Sequence, residues 1–130
     1  MRTGRNIKTR AASERRARLR RGVVAECIAA LWLILKGYRI LAWRHRSRLG
    51  ELDLIAVRGR RLAFVEVKRR RTPEVAQGSI NGWQAHRIAT AAEQWVWRHP
   101  RYRNHEIGLD AVLVTRWWRP RHAMNALQPA

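Results

Sequence analysis

The chain has 130 residues, 46% of them apolar, which is enough for one domain with a real core, too little for two, and excludes a wholly disordered chain. Its 28 Lys and Arg against 9 Asp and Glu leave a formal charge of +19, so its natural partners are polyanions. A single cysteine, Cys27, excludes an intramolecular disulfide, fits a reducing compartment and reads as a small buried hydrophobe, and no Cys/His cluster suggests zinc.

In chain order, residues 1 to 10 read as a loose basic tail, AASERRARLRRG (11–22) can begin a helix, and 1 to 20 together read as a flexible basic segment before the folded domain. Residues 23 to 35, VVAECIAALWLIL, form a short apolar run after nine Arg or Lys in the first 21 positions. Basic-then-apolar order resembles a secretory signal. Glu26 inside the run and the lack of a small-x-small site after it argue otherwise. The run also falls short of the roughly 20 apolar residues that cross a bilayer. It predicts a buried helix of a cytoplasmic protein with no membrane partner, stopped by Lys36-Gly37.

YRILAW (38–43) reads as a strand and RHRSRL as a basic connection. ELDLIAV (51–57) and LAFVEVK (62–68) read as strands rich in Ile, Val and Phe. RRRTPEVAQGS is a polar loop, 80–98 a helix ended by His99-Pro100, and GLDAVLVT (108–115) a further strand. The folded domain spans 21–116, and 117–130, with a proline near each end, reads as a tail. Strands joined by short links and then a strand reached through a helix predict an α/β domain: a central mixed sheet flanked by helices. Most of the seven Trp belong to its core, and the five His read as scattered surface or capping residues.

Arg58-Gly59-Arg60-Arg61 fits a two-residue type II′ hairpin, with glycine at its first central position. That register pairs Arg58 with Arg61, Val57 with Leu62 and Ile55 with Phe64, then Asp53 with Glu66 and Glu51 with Lys68. The opposite face, with Ala56–Ala63, Leu54–Val65 and Leu52–Val67, is wholly apolar. Opposed strand residues have Cβ atoms about 4.5–5.5 Å apart, so Asp53 and Glu66 are two carboxylates side by side. A hard divalent cation between them, Mg²⁺ or Mn²⁺, relieves the repulsion. The alternative is structural: a Glu51–Lys68 bridge, with Asp53 and Glu66 solvated at a sheet end.

GELDLIA (50–56) followed by FVEVKRR (64–70), with AE (25–26), GYRIL (37–41) and LDAVLV (109–114), resembles the YraN-like family of small bacterial proteins. That family is grouped with the PD-(D/E)xK nuclease superfamily, near archaeal Holliday-junction resolvases. The resemblance implies a restriction-endonuclease-like fold with Asp53 and Glu66 as metal ligands and the Val67 carbonyl as a third. Lys68 then positions the attacking water or stabilises the phosphorane. Glu26 corresponds to a helix glutamate near the metal, although its bland reading is a salt bridge or solvation. Gln84 lies where related nucleases carry Gln or Lys, and is otherwise an ordinary exposed helix residue. Leu52 replaces the proline of the superfamily's name. Glu51 is an added carboxylate, and Asp110 is assigned a structural role.

The implied reaction is metal-dependent hydrolysis of phosphodiesters, DNA ahead of RNA, with branched and linear substrates both open, by a homodimer with no small-molecule cofactor. Arg44, Arg46, Arg48, Arg69, Arg70 and Arg71 flank the motif as the phosphate-binding set. A non-catalytic nucleic-acid-binding module on the same fold is the alternative.

Overall fold

The computed structural model describes residues 2–47, 50–69 and 82–127. Helix α1 spans Arg2–Leu35, followed by strands β1 (Arg39–Ser47), β2 (Gly50–Arg58) and β3 (Arg61–Arg69). Helix α2 (Gly82–Arg98) leads to β4 (Glu106–Thr115) and β5 (Arg119–Ala123), with short 3-10 turns at Pro100–Tyr102 and Arg116–Trp118. The five strands form one sheet in the order β1-β2-β3-β4-β5. β3 and β4 are parallel and every other pair is antiparallel. The expected α/β domain with a mixed sheet flanked by helices is therefore the fold observed.

Each sheet face carries its own core. Ile55, Val57, Leu62, Phe64, Leu109, Ala111 and Leu113 pack against Ala85, Ile88, Ala92 and Trp95 of α2. Phe64, fully buried, meets Trp95 edge to face at 5.7 Å between ring centroids. On the other face Leu54, Ala56, Ala63, Val65, Val112 and Val114 pack against Ala25, Ala29, Ala30 and Leu33 of α1. Small residues on α1 let the helix lie close to the sheet.

α1 ends as its sequence predicts. Gly37 has φ +96°, the Tyr38 amide donates to Leu33 O and the Gly37 amide to Ile34 O, each at 3.0 Å. These two bonds and the apolar Tyr38–Leu33 pair make a Schellman cap, which places β1 directly against the helix it follows.

Several expectations are corrected. The N-terminal basic segment belongs to α1, since Arg, Ala, Leu and Lys are strong helix formers and no proline interrupts them. The run 23–35 buries one face only: Leu31, Ile34 and Leu35 are exposed, and so is Cys27. Among the Trp whose side chains are described, only Trp95 is buried, and Trp97 is 81% exposed. RHRS extends β1 beyond Trp43. The segment read as a C-terminal tail supplies β5, where Pro120 pairs with Val114. β5 is an edge strand, the one place in a sheet where a missing N–H is tolerated. No helix among the described residues is long and apolar enough to cross a membrane.

Candidate metal and nucleic-acid site

The central hairpin turns as expected. Gly59 carries φ +57° at the first central position, and the pairs Arg58↔Arg61, Val57↔Leu62, Ile55↔Phe64, Ala56↔Ala63 and Leu54↔Val65 follow. The β2–β3 ladder then stops. β2 stays paired with β1 down to Gly50↔Ser47, and β3 with β4 up to Arg69↔Val114. The sheet thus opens between β2 and β3 at their far end, beside the C-terminal end of a parallel strand.

Asp53 lies at the mouth of this opening. Its Oδ2 accepts a hydrogen bond from the Val67 amide at 2.7 Å, replacing the strand carbonyl that would otherwise be there. The expected direct rung between Asp53 and Glu66 is absent from the ladder for this reason. Side-chain alternation also slips at Asp53. Leu52 joins the α2-side core with Ile55, while Val67 stays on the α1 side with Val65, so they do not share the apolar face expected of them. Burial pushes the Asp53 carboxyl up to about 7. The Glu66 charge adds to the push, Glu26 and Glu51 contribute more weakly, and the Val67 hydrogen bond offsets only part.

Glu66 and Lys68 stand on β3, both largely shielded from solvent. Lys68 Nζ lies 3.1 Å from Glu66 Oε1, so its ion pair runs along its own strand. Glu26 reaches toward this cluster from α1. Its Oε2 accepts from Arg44 Nε at 2.6 Å and Trp43 Nε1 at 3.1 Å. Arg44 has φ +54°, a left-handed conformation unusual outside glycine, between the rungs Trp43↔Leu54 and His45↔Leu52 and so across β1 from Asp53. Bonded to Glu26, Arg44 is kept firmly protonated. The motif thus gathers Asp53, Glu66, Lys68, Glu26 and Arg44. Among the described residues no three His, Cys, Asp or Glu side chains are grouped closely enough to hold a metal ion by themselves.

The other expected residues are more dispersed. Glu51 is exposed on β2 and pairs in register with Arg46 of β1. Arg69 stacks its guanidinium 4.3 Å over the Trp118 ring. Gln84 lies in α2 and Arg46 in β1, with side chains outside the described set, and Arg48, Arg70 and Arg71 lie outside the described residues altogether.

A second polar cluster was not legible. Asp110, fully buried on β4, accepts from Arg61 Nη1 at 2.6 Å, Arg61 Nη2 at 2.8 Å, His122 Nε2 at 2.7 Å and the Asn125 amide at 2.9 Å. Burial would raise its pKa, but these donors, Arg61 first, outweigh it and hold the carboxyl at about 2. Tyr38 Oη accepts from Arg61 at 3.1 Å, and Lys36 Nζ contacts His122 Nδ1. His122 is therefore a core residue, where a surface or capping role was expected. Gly108 makes room for this cluster, since a Cβ there would come within 2.3 Å of Arg61 Nη2. The structural role expected of Asp110 is confirmed. The glycine two residues before it on β4 is the only sequence signal of the arrangement.

The model of the Uncharacterised protein family UPF0102 matches residues 25–114, a span that contains the helix glutamate, both motif strands and β4. The chain belongs to this family. It is the YraN-like family whose motifs the sequence resembles. A UPF0102 protein of Rhodopseudomonas palustris (strain BisB18) is 46% identical over 112 residues, covering 86% of this chain and 83% of the relative. Those of Sinorhizobium medicae (strain WSM419) and Methylorubrum extorquens (strain PA1) are each 46% identical, over 108 and 118 residues. They cover 83% and 89% of this chain, and 88% and 91% of the relatives.

Proposed function

We propose that this UPF0102 chain is a divalent-cation-dependent nuclease that hydrolyses phosphodiester bonds of nucleic acid, DNA ahead of RNA. The observation that carries the reading is the Asp53 carboxyl, half-buried near Glu66 in the opening between β2 and β3, with Lys68 on the same strand as Glu66. Burial first, and the Glu66 charge second, raise the Asp53 pKa, so a second carboxylate in this place is disfavoured without a cation. Such oxygen donors suit Mg²⁺ or Mn²⁺. Asp53 and Glu66 would hold the ion, with the Val67 carbonyl as a third donor and Glu26 adding negative charge from α1. A bound ion supplies charge neutralisation at the phosphate and a more acidic water.

The chain's own groups do the rest. The Val67 amide fixes one Asp53 oxygen and leaves Oδ1 for other work. Arg44 and Trp43 fix Glu26, so its charge stays near the opening. Lys68, 3.1 Å from Glu66, would donate to the attacking water or to the phosphate oxygen that gains charge. Surrounding arginines bind flanking phosphates through their planar forks.

The second reading, a nucleic-acid-binding module without chemistry, is favoured by one observation: Glu66 is already satisfied by Lys68 at 3.1 Å. The test is cleavage of labelled duplex, single-stranded and four-way-junction DNA, and of RNA, with Mg²⁺ or Mn²⁺. Cutting that requires the ion and is lost in Lys68→Ala supports the nuclease. Salt-sensitive binding without cutting, equal in both proteins, leaves the binding module.

A further inference from the structure

At the end of the sheet away from Asp53, a cleft of about 380 Å³ opens between the β2–β3 turn and the 3-10 turn after α2. Its walls carry Arg39, Arg58, Arg101 and His105, with Gly37 and Gly59 between them. None of its lining side chains is acidic. Both glycines have positive φ, +96° and +57°, so the chain bends there without a Cβ to fill the opening.

The four cationic or titratable side chains are not equivalent. Arg58 is anchored: its Nη1 donates to Lys36 O at 3.1 Å and its guanidinium lies 4.8 Å over the Tyr38 ring. Arg101 leans on Tyr102 at 5.2 Å. Arg39 is exposed, and among the described residues nothing pairs with its guanidinium. The nearby Asp110 does not line the cleft and is bonded to Arg61 and His122. Lys36, on the rim behind Gly37, reports the local field. Burial lowers its pKa first and the Arg58 charge lowers it further, and the Asp110 charge offsets only part of this.

We propose that this cleft is a phosphate site. Resting on the nucleic-acid reading above, it holds a backbone phosphate of the nucleic acid outside the segment held at Asp53. Anchored and free guanidinium forks facing one opening, without a carboxylate, suit a group with several anionic oxygens. Asp53 and Arg58 are five residues apart on β2, or about 17 Å at strand rise.

The test measures binding of a 20-base-pair duplex to the full chain by fluorescence anisotropy, without divalent cation, across a salt series. Arg39→Gln/Arg101→Gln is compared with Arg119→Gln/Arg121→Gln, which removes the same charge from the β5 edge. All four arginines are exposed, and melting curves check that both variants stay folded. The cleft variant is expected to lose about tenfold more affinity than the control. Its slope of log affinity against log salt should fall by about 1.8, or 0.9 per lost phosphate contact. Equal losses in the two variants overturn the proposal. If wild type binds no duplex at all, the nucleic-acid reading is what has failed. Pyrophosphate is then titrated while the Arg39 and Arg58 side-chain N–H signals are followed by NMR. Saturable shifts keep the cleft as a site for a free phosphate compound, and unmoved signals overturn it.

Discussion

Asp53 Oδ2 sits 2.7 Å from the Val67 amide, where a backbone carbonyl of β2 would complete the ladder. One side chain thus closes the sheet's hydrogen bonding and holds it open as well. Asp53→Asn keeps an oxygen for Val67 and removes the charge that burial and Glu66 disfavour. A carboxyl whose folded pKa is raised costs stability as pH climbs from its unfolded value near 3.8 through about 7. Without divalent ion, Asp53→Asn should therefore be more stable than wild type at pH 8, by about 2 kcal/mol, and no more stable at pH 4. Denaturant melts at the two pH values check this. A variant destabilised at both would show that the charge is already compensated. The same variant should lose cleavage.

Divalent ion should act in the opposite sense. Mg²⁺ or Mn²⁺ at a hundredfold excess over its Kd stabilises the folded chain by about 2.7 kcal/mol. The gain should be present in wild type at pH 8 and absent from Asp53→Asn and Glu66→Gln. It should also fade below pH 7, where protons compete for Asp53. Differential scanning calorimetry with and without ion reads both effects, and a gain that survives in both variants would locate the ion elsewhere.

Lys68→Ala should lower the cleavage rate by about 10²–10³-fold while leaving the ion-dependent stabilisation in place. Loss of both together would mean that Lys68 supports the fold of the opening. Single-turnover rates and melts on the same preparation separate the two.

Acid should attack the other cluster. The Asp110 carboxyl is held at about 2, below its usual range, so its contribution is complete above about pH 4 and is lost as pH falls through 2. Asp110→Asn should cost about 3–5 kcal/mol at pH 7, because it strands Arg61, only 8% exposed, without its anion. The deficit against wild type should shrink as acid protonates Asp110 in the parent, which a urea series from pH 7 to 2 would record.

The hairpin and the motif were legible because a two-residue turn fixes register, and register fixes which side chains meet. The ladder's stop at Asp53 was not. It depends on a side chain competing with backbone for one amide, which strand periodicity does not encode. β5 was hidden by Pro120, a breaker everywhere except on an edge. The Arg61–Asp110 pair was hidden by distance, since its members lie 49 residues apart. The apolar run of α1 promised a buried helix, yet a helix lying on one sheet face can bury only one side of itself.

Arg61 and Asp110 also set an order of events during synthesis. Asp110 draws two of its four hydrogen bonds from residues 122 and 125, after the rest of the sheet has been made. A nascent chain that has released β4 but still holds this last stretch inside the ribosome carries a carboxylate with half its partners and an unprotected sheet edge. Closing this cluster and covering the β4 edge therefore both wait on the segment that follows β4.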